Sequence, residues 1–438
     1  MKKCIVVGGG FAGLTAAVYL IKSGYQVEVI EATPKLGGRA YSFLHKETNT
    51  IIDNGQHIMM GCYKDTIKFL ELINAADNME VQENLSVKFL KPGFEKYELK
   101  SSSFFYPFSL VDAILRYRAI SLTERLAVLR LFSKLSFLSS RDLEKMSVEE
   151  LLSAEKQSDN VKKSLWEIIS VGALNTNINK ASAKMFVDIL KEIFLKGSKG
   201  SKIILPKVGL SELFCEPAKK YLEAKGGHFS LSEQVEEIKL EKSKAVEVTT
   251  DKRRIVDFDF VICAVPFFAI QRIDGLSKML KQVQLVHETD QPFSPSYSSI
   301  LNVHIWLRDN RFCNNFFALI DSKLHWVFSH ESHLTCVISD ADYLMKLPDE
   351  EIINVISSEL EKYLNIPRQE IISYFIVKEK RATFIPSKDI LFNRPCTETG
   401  IKNLYLAGDW VNTGLPSTIE SAVKSGRIAA EMVAGNND

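Results

Sequence analysis

Blocks of apolar residues bounded by glycine or polar turns recur at both ends of the chain. Residues 5–7 form an apolar run stopped by three glycines, the pattern of a strand covered on both faces. An apolar helix follows to about residue 23, and residues 27–30 read as a second strand. Towards the other end, residues 403–410 read as a buried strand ending in Gly408-Asp409. A loop over 412–416 and a helix from about Ser417 come next. Ser417-Thr-Ile-Glu420 has capping-box spacing, which specifies where that helix starts. Between the two ends, 218–224 suggests a helix, and Gly226-Gly227 turns into an alternating strand over 235–240. Residues 259–264 form another buried run, stopped by Pro266.

These blocks predict one domain assembled from 1–80, 206–269 and 386–438, and a second from 81–205 and 270–385. The second contains predicted strands over 299–307, 324–329 and 334–339 and a helix over 350–363, read as a sheet roofing a ligand cavity. Residues 107–140 differ. From Leu122 the apolar residues Val128, Leu131, Phe132, Leu135 and Leu138 recur at helical spacing. Arg116, Arg118, Arg125, Arg130 and Lys134 oppose only Asp112 and Glu124 there. Such a basic amphipathic helix either lies in a bilayer interface or turns its stripe into the core.

Composition changes this picture little. The 438 residues are 46% hydrophobic and 25% charged, and the net charge of +1 argues against nucleic acid as the main partner. Seven scattered cysteines without a CxxC pair suit free thiols in a reducing cytoplasm. No apolar run reaches the ~18 residues of a membrane span, and the glycines at 8–10 cut short a signal-peptide reading. The His and Cys positions lack metal-ligand spacing, so no metal is expected.

The candidate chemistry is concentrated near the start. Gly8-x-Gly10-x-x-Gly13 lies between strand and helix, where Gly8 permits the tight turn, Gly10 the approach of a pyrophosphate and Gly13 helix–strand packing. The helix N-terminus then faces the phosphates with free N–H groups and its positive dipole end. Glu31 ends the second strand, where a carboxylate can accept ribose hydroxyls. Leu36-Gly-Gly-Arg39-Ala-Tyr-Ser42 resembles the second glycine pair of two-domain flavoproteins, which implies FAD and places Arg39 at the pyrophosphate.

The layout, GxGxxG first and Gly-Asp last, resembles the amine oxidase and phytoene desaturase superfamily of FAD enzymes over nearly the whole chain. The fold implied is α/β: a two-domain flavoprotein with a Rossmann-like FAD/NAD(P)-binding domain and an interleaved α+β substrate domain. Within that superfamily the finer motifs look like the hydroxysqualene dehydroxylase family. They are Asp53-Asn-Gly-Gln-His57 with Gly61-Cys-Tyr63, Leu174-Asn-Thr176 with Ala181-Ser182, Glu379-Lys-Arg-Ala-Thr-Phe384 and Gly414-Leu-Pro-Ser-Thr-Ile-Glu420. The chain departs from that family at Asn177, where proline is frequent, and at Ser421, where glycine is.

The resemblance implies removal of an allylic hydroxyl from hydroxysqualene. A proton donated to the oxygen lets water leave, and hydride from reduced flavin quenches the allylic cation to give squalene, a precursor of hopanoids. Such chemistry needs a proton donor and a cavity that excludes water. His57 is the leading acid, since an imidazole can be protonated near neutral pH. Gln56 is expected to orient the alcohol, and Asp53 is either the acid or a loop anchor accepting backbone N–H bonds. Lys380 and Arg381 read as a pair facing the flavin pyrimidine edge, as a phosphate-binding pair or as a solvated basic pair.

Cofactor contacts carry over onto Gly8, Gly10, Phe11, Ala12 and Gly13, then Glu31, Ala32, Gly38, Arg39 and Gly55. Gly408 and Asp409 are expected at the ribityl hydroxyls, Val235 at the adenine, and the amides of Thr418 and Ile419 at the N1–C2=O edge of reduced flavin. Trp410 and Tyr63 read as cavity lining or plain packing. The substrate implied, with about thirty carbons, pays about 20 kcal/mol to enter water at ~0.8 kcal/mol per CH₂. It must therefore come from a bilayer or from the upstream hydroxysqualene synthase, which implies a cytoplasmic enzyme held peripherally at the membrane. On that reading, serine at Leu131, Phe132 and Leu135 weakens liposome binding and leaves flavin bound. The competing readings are an oxidising carotenoid desaturase, a flavin amine oxidase and a non-catalytic prenyl-lipid carrier.

Overall fold

A computed structural model describes residues 1–277, 293–312 and 315–435. The chain opens with β1 (Lys3–Val7), α1 (Phe11–Lys22) and β2 (Gln26–Glu31). Three later strands join them: β3 (His228–Leu231), β4 (Phe260–Cys263) and β5 (Leu404–Leu406). All five are parallel in the order β3-β2-β1-β4-β5, so the chain reverses direction across the sheet at β1. β4 and β5 are wholly buried, as strands covered on both faces must be. The crevice beyond the C-terminal ends of β1 and β4 is where such sheets take ligands.

Strand β3 was not expected. His-Phe-Ser-Leu is too short and too mixed to signal a strand, and pairing with the buried β2 makes it one. The strand predicted over 235–240 exists as Val235–Glu241, paired antiparallel with Lys244–Thr250 in a separate small sheet.

The other large sheet has seven strands in the order Ile371–Phe384, Tyr297–Leu307, Leu334–Ser339, Trp326–Ser329, Phe316–Leu319, Ser86–Lys91 and Glu95–Lys100. The helix Asp349–Leu364 covers one face, packing Ile352, Ile353, Ile356 and Leu360 on Leu301, Val303 and Ile305. The two-residue period therefore sends Ile300, Asn302, His304 and Trp306 to the opposite face. Strand Ile371–Phe384 contains Lys378-Glu-Lys-Arg381, which reads as surface; pairing along Tyr297–Leu307 holds it extended.

Residues 107–140 form two helices, Phe108–Arg116 and Leu122–Lys134. Val128, Leu131 and Leu135 of the expected membrane stripe are fully buried. Phe132 packs its ring on Trp166 and Phe194, with centroids 5.8 and 5.5 Å away. Those residues belong to the core, and serine there breaks packing before it can report on a bilayer. The exposed apolar side chains lie beside them: Phe104, Phe105, Phe108, Leu122, Leu126 and Phe137.

Candidate flavin site

The crevice is built first from backbone. Gly8 leaves β1 at φ +106°, a left-handed conformation, and donates its N–H to the Ile30 carbonyl at 2.8 Å. A Cβ on Gly13 would lie 1.9 Å from the Gly8 carbonyl oxygen, so α1 starts directly against β1. Gly10 is its N-cap, with no capping side chain and no acid in the first turn, which leaves the positive end for an anion. Gly37 N donates to Gly9 O at 2.9 Å, and a Cβ on Gly38 would lie 3.2 Å from Gly10 Cα. The two glycine-rich segments thus face each other as bare backbone, a cradle that a pyrophosphate fits.

Glu31 is buried at the rim, accepting from Gly9 N at 2.7 Å and from Thr33 N and Oγ1 at 2.9 and 2.8 Å. A carboxylate offers about four acceptor positions, so one remains for a sugar hydroxyl. Ser232 N and Glu233 N donate to Thr33 O and Glu31 O at 3.1 and 3.0 Å, which brings the chain before Val235 to the same rim, beside exposed Ala32. Phe11 and Ala12 contribute only backbone here: the Phe11 ring stacks on Phe214 at 4.3 Å, and the Ala12 carbonyl lies under Gly426, where a Cβ would come within 2.2 Å.

Arg39 reaches across to the far end of the sequence. Its guanidinium pairs with the Asp409 carboxylate, which also accepts from Ser417 Oγ. Burial pushes the Asp409 pKa up, but Arg39 and Ser417 outweigh it and hold the carboxyl below the usual range. Asn54 locks the next loop: Nδ2 donates to Arg39 O at 2.9 Å and Oδ1 accepts from Tyr41 N at 3.0 Å. Asn302 on the seven-stranded sheet donates to Asn54 O at 3.1 Å, and a Cβ on Gly55 would meet its Nδ2 at 3.0 Å. Asn302 was not singled out in the sequence, because nothing local links it to a loop 248 residues away.

Gln56 and His57 follow that locked turn, half-buried and without a hydrogen bond to any described residue. Burial pulls the His57 pKa down to about 4, so its imidazole is neutral at pH 7. At rest the ring carries no extra proton, so an acid role at His57 requires one delivered to it during the reaction. Asp53 faces away, its Oδ1 accepting from Ser42 Oγ at 2.6 Å and Leu210 N at 3.0 Å. Burial raises its pKa to about 6 against those two hydrogen bonds. A raised folded pKa stabilises the fold at low pH, and that contribution is lost as pH rises through about 6. D53N keeps an acceptor oxygen without the charge. It is expected to be more stable than wild type at pH 8 by on the order of 2–3 kcal/mol, with only about half of that gain at pH 5, between the unfolded and folded pKa values. Melting curves at both pH values check this, and an equal gain at both would remove the assignment.

The C-terminal helix runs over Ile419–Gly435. Its expected capping box does not form. Thr418 Oγ1 accepts from Ser421 N at 3.2 Å, while Ser417 turns to Asp409. Glu420 instead accepts from Asp65 N, Thr66 N and Thr66 Oγ1 at 3.0, 2.8 and 2.7 Å, capping the neighbouring helix Lys64–Leu72. The amides of Ile419 and Glu420 consequently have no partner among the described residues. Ser421 fits its departure, bonding Thr413 Oγ1 at 2.7 Å, and Asn177 accepts from Asn179 N at 3.0 Å in an exposed turn. Tyr63 lies beside Thr418 and Glu420. Trp410 is core, donating to Val265 O at 3.0 Å between Phe267 and Phe293. Lys380 and Arg381 are exposed, Arg381 lying over the Phe268 ring at 4.7 Å.

Leu174-Asn-Thr176 works at long range. Asn175, left-handed at φ 48°, ties its helix end to Thr383 Oγ1 at 2.9 Å, and its carbonyl accepts from Ser298 Oγ at 2.6 Å.

The family of flavin containing amine oxidoreductases matches residues 11–434. The chain belongs to it. It is an FAD-dependent oxidoreductase, and the cradle between Gly10 and Gly38, the uncapped start of α1 and the free amides of the C-terminal helix all fit that cofactor. Among relatives, the hydroxysqualene dehydroxylase of Zymomonas mobilis is 26% identical over 434 residues, with 98% of each chain covered. The zeta-carotene desaturase of Capsicum annuum is 24% identical over 481 residues, covering 98% of this chain and 80% of that one. A solved putrescine oxidase triple mutant shares the fold, with a TM-score of 0.73 at 17% identity over 100% of this chain and 99% of the other.

Proposed function

We propose that this enzyme carries out the reductive dehydroxylation of hydroxysqualene to squalene. The observation that carries this reading is the end-to-end match to a hydroxysqualene dehydroxylase, with 98% of each chain covered. FAD, bound and reduced by an external donor, would supply the hydride, and a proton delivered from solvent through His57 to the hydroxyl would let it leave as water. The chain's own residues bind and orient. Gly8, Gly10, Gly13 and Gly38 admit the pyrophosphate with Arg39, Glu31 holds the ribose, and the chain at Val235 meets the adenine. Asp409 takes the ribityl hydroxyls, and the amides at the start of the C-terminal helix receive negative charge. His57 and Gln56 hold the substrate hydroxyl as neutral hydrogen-bonding groups.

An anaerobic single turnover tests this. Photoreduced enzyme mixed with hydroxysqualene should yield one squalene per flavin oxidised. Reduction of the oxidised enzyme by phytoene, with no turnover of hydroxysqualene, would assign a desaturase instead, a reading favoured by the match to the carotene desaturase.

The same substrate argument supports peripheral binding to the cytoplasmic face of the membrane, where an upstream synthase would release its product. No helix among the described residues is long and apolar enough to cross a membrane. Phe105 and Phe137, 77% and 86% exposed, are the side chains best placed to enter a bilayer surface. Phe105 precedes Tyr106, which donates to the Phe194 carbonyl at 3.0 Å, and Phe137 follows the helix whose Phe132 ring packs on Phe194. F105S combined with F137S is expected to cut sedimentation with phosphatidylglycerol vesicles at least tenfold without lowering flavin content. Undiminished sedimentation would rule this face out.

A further inference from the structure

Arg394 carries a positive charge into the wall behind the Asp409–Leu415 loop without an acid of its own. It is 3% exposed. Nη2 donates to the Asp409 carbonyl at 2.9 Å and to the Val411 carbonyl, Nη1 to Leu415 O at 2.6 Å and Nε to Trp410 O at 3.3 Å. Its guanidinium lies 4.9 Å from the centre of the Phe384 ring. The Asp409 side chain is already engaged by Arg39 and Ser417. Among the described residues Arg394 therefore forms no ion pair, and its partners are main-chain carbonyls and one aromatic face.

The one carboxylate whose charge reaches Arg394 is that of Asp409, which is already paired with Arg39. A buried guanidinium so placed is costly, and a neutral amide could hold loop carbonyls at lower cost. What the neutral group lacks is the field. The charge turns the carbonyls at 409, 410, 411 and 415 towards itself, and the opposite end of each peptide dipole points away. The Trp410 amide, opposite the Asp409 carbonyl, has no partner among the described residues. Leu415 leads within four residues to the free amides of the C-terminal helix. Burial pulls the Arg394 pKa down only to about 10, so the charge persists at neutral pH.

We propose that Arg394 sets the reduction potential of the bound flavin. It acts as a buried positive charge that polarises the Asp409–Leu415 loop and the start of the C-terminal helix towards the negative charge of the reduced cofactor. Arg394 is a positioning residue: it reaches the cofactor through the loop. The assignment rests on flavin binding alone and does not depend on the substrate.

The test is the midpoint potential of the flavin-loaded protein, read by equilibration with a reference dye. R394Q is expected to shift that equilibrium at least tenfold towards oxidised flavin, equal to about 30 mV for a two-electron couple. An unchanged potential in flavin-loaded R394Q overturns the proposal. R394K supplies a second arm should R394Q fail to hold flavin. Lysine loses its proton more readily than arginine when buried, so the gap between R394K and wild type is expected to widen from pH 6 to pH 9. A gap that stays constant over that range overturns the proposal as well.

Discussion

Replacing Gly13 with alanine is expected to leave the enzyme almost free of flavin. Inside a helix, glycine to alanine ordinarily stabilises by about 1 kcal/mol. Here the new Cβ would stand 1.9 Å from the Gly8 carbonyl oxygen. Both the new atom and the oxygen are fixed to backbone, so no side-chain rotation relieves the contact. Overpacking of this kind costs about 1–3 kcal/mol, which outweighs the gain in propensity. The relief available is a shift of α1 away from β1, and that moves the helix N-terminus out of the cradle it forms with Gly38. Purified G13A is therefore expected to bind FAD at least a hundredfold more weakly and to melt lower than wild type. Gly435 is the control: a Cβ there meets nothing within 4 Å. G435A should keep its flavin, and a G13A protein that also did so would show that α1 need not touch β1.

The second large effect is acid unfolding driven by histidine. Burial holds His57, His304, His325 and His330 down to about 4 and His333 to about 3. Three of them are neighbours. His333 lies 4.6 Å from His330 and 5.4 Å from His304 between ring centres, and the charges would repel. For a base whose folded pKa is depressed, the stability is present above the unfolded pKa near 6.5. It is lost as pH falls from there towards 4. Each buried imidazole then contributes on the order of 1–3 kcal/mol, and five together rival the whole net stability of about 5–15 kcal/mol. Unfolding by denaturant should accordingly collapse between pH 6 and pH 4.5, with uptake of about four to five protons. Burial also raises the pKa values of Asp53, Glu167 and Glu420, which oppose this in part. H333N should reduce the proton uptake by about one. Stability that stays flat down to pH 4.5 would mean these rings accept protons where they sit.

The dinucleotide cradle was readable from the sequence because its logic is local. Gly8, Gly10, Gly13 and Glu31 are placed by strand–turn–helix geometry within about thirty residues, and backbone sterics leave few alternatives to glycine there. The buried strands expected at 5–7, 259–264 and 403–410 announced themselves for the same reason, since continuous apolar runs have nowhere to go except a doubly covered sheet, although the last is confined to Leu404–Leu406. Side-chain pairing over long distance was not readable. Ser417 and Glu420 have capping-box spacing, yet one turns to Asp409 and the other to the helix Lys64–Leu72, because those partners are supplied by the fold. The stripe Val128, Leu131 and Leu135 has the same period whether it faces lipid or protein, and only the packing of Trp166 and Phe194 decides for the core.

Charge state belongs to the same category. A histidine after Gly55-Gln56 looks like an acid, and desolvation makes it a neutral donor. Arg394 looks like any surface arginine before a proline, and the carbonyls of a loop fifteen to twenty-one residues away bury it. The sequence by itself determined the α/β class, the flavin cradle and the family motifs, all set by backbone conformation and apolar period. Tertiary structure alone decided which polar groups are paired, buried or charged, because solvation depends on neighbours that the chain brings together only on folding.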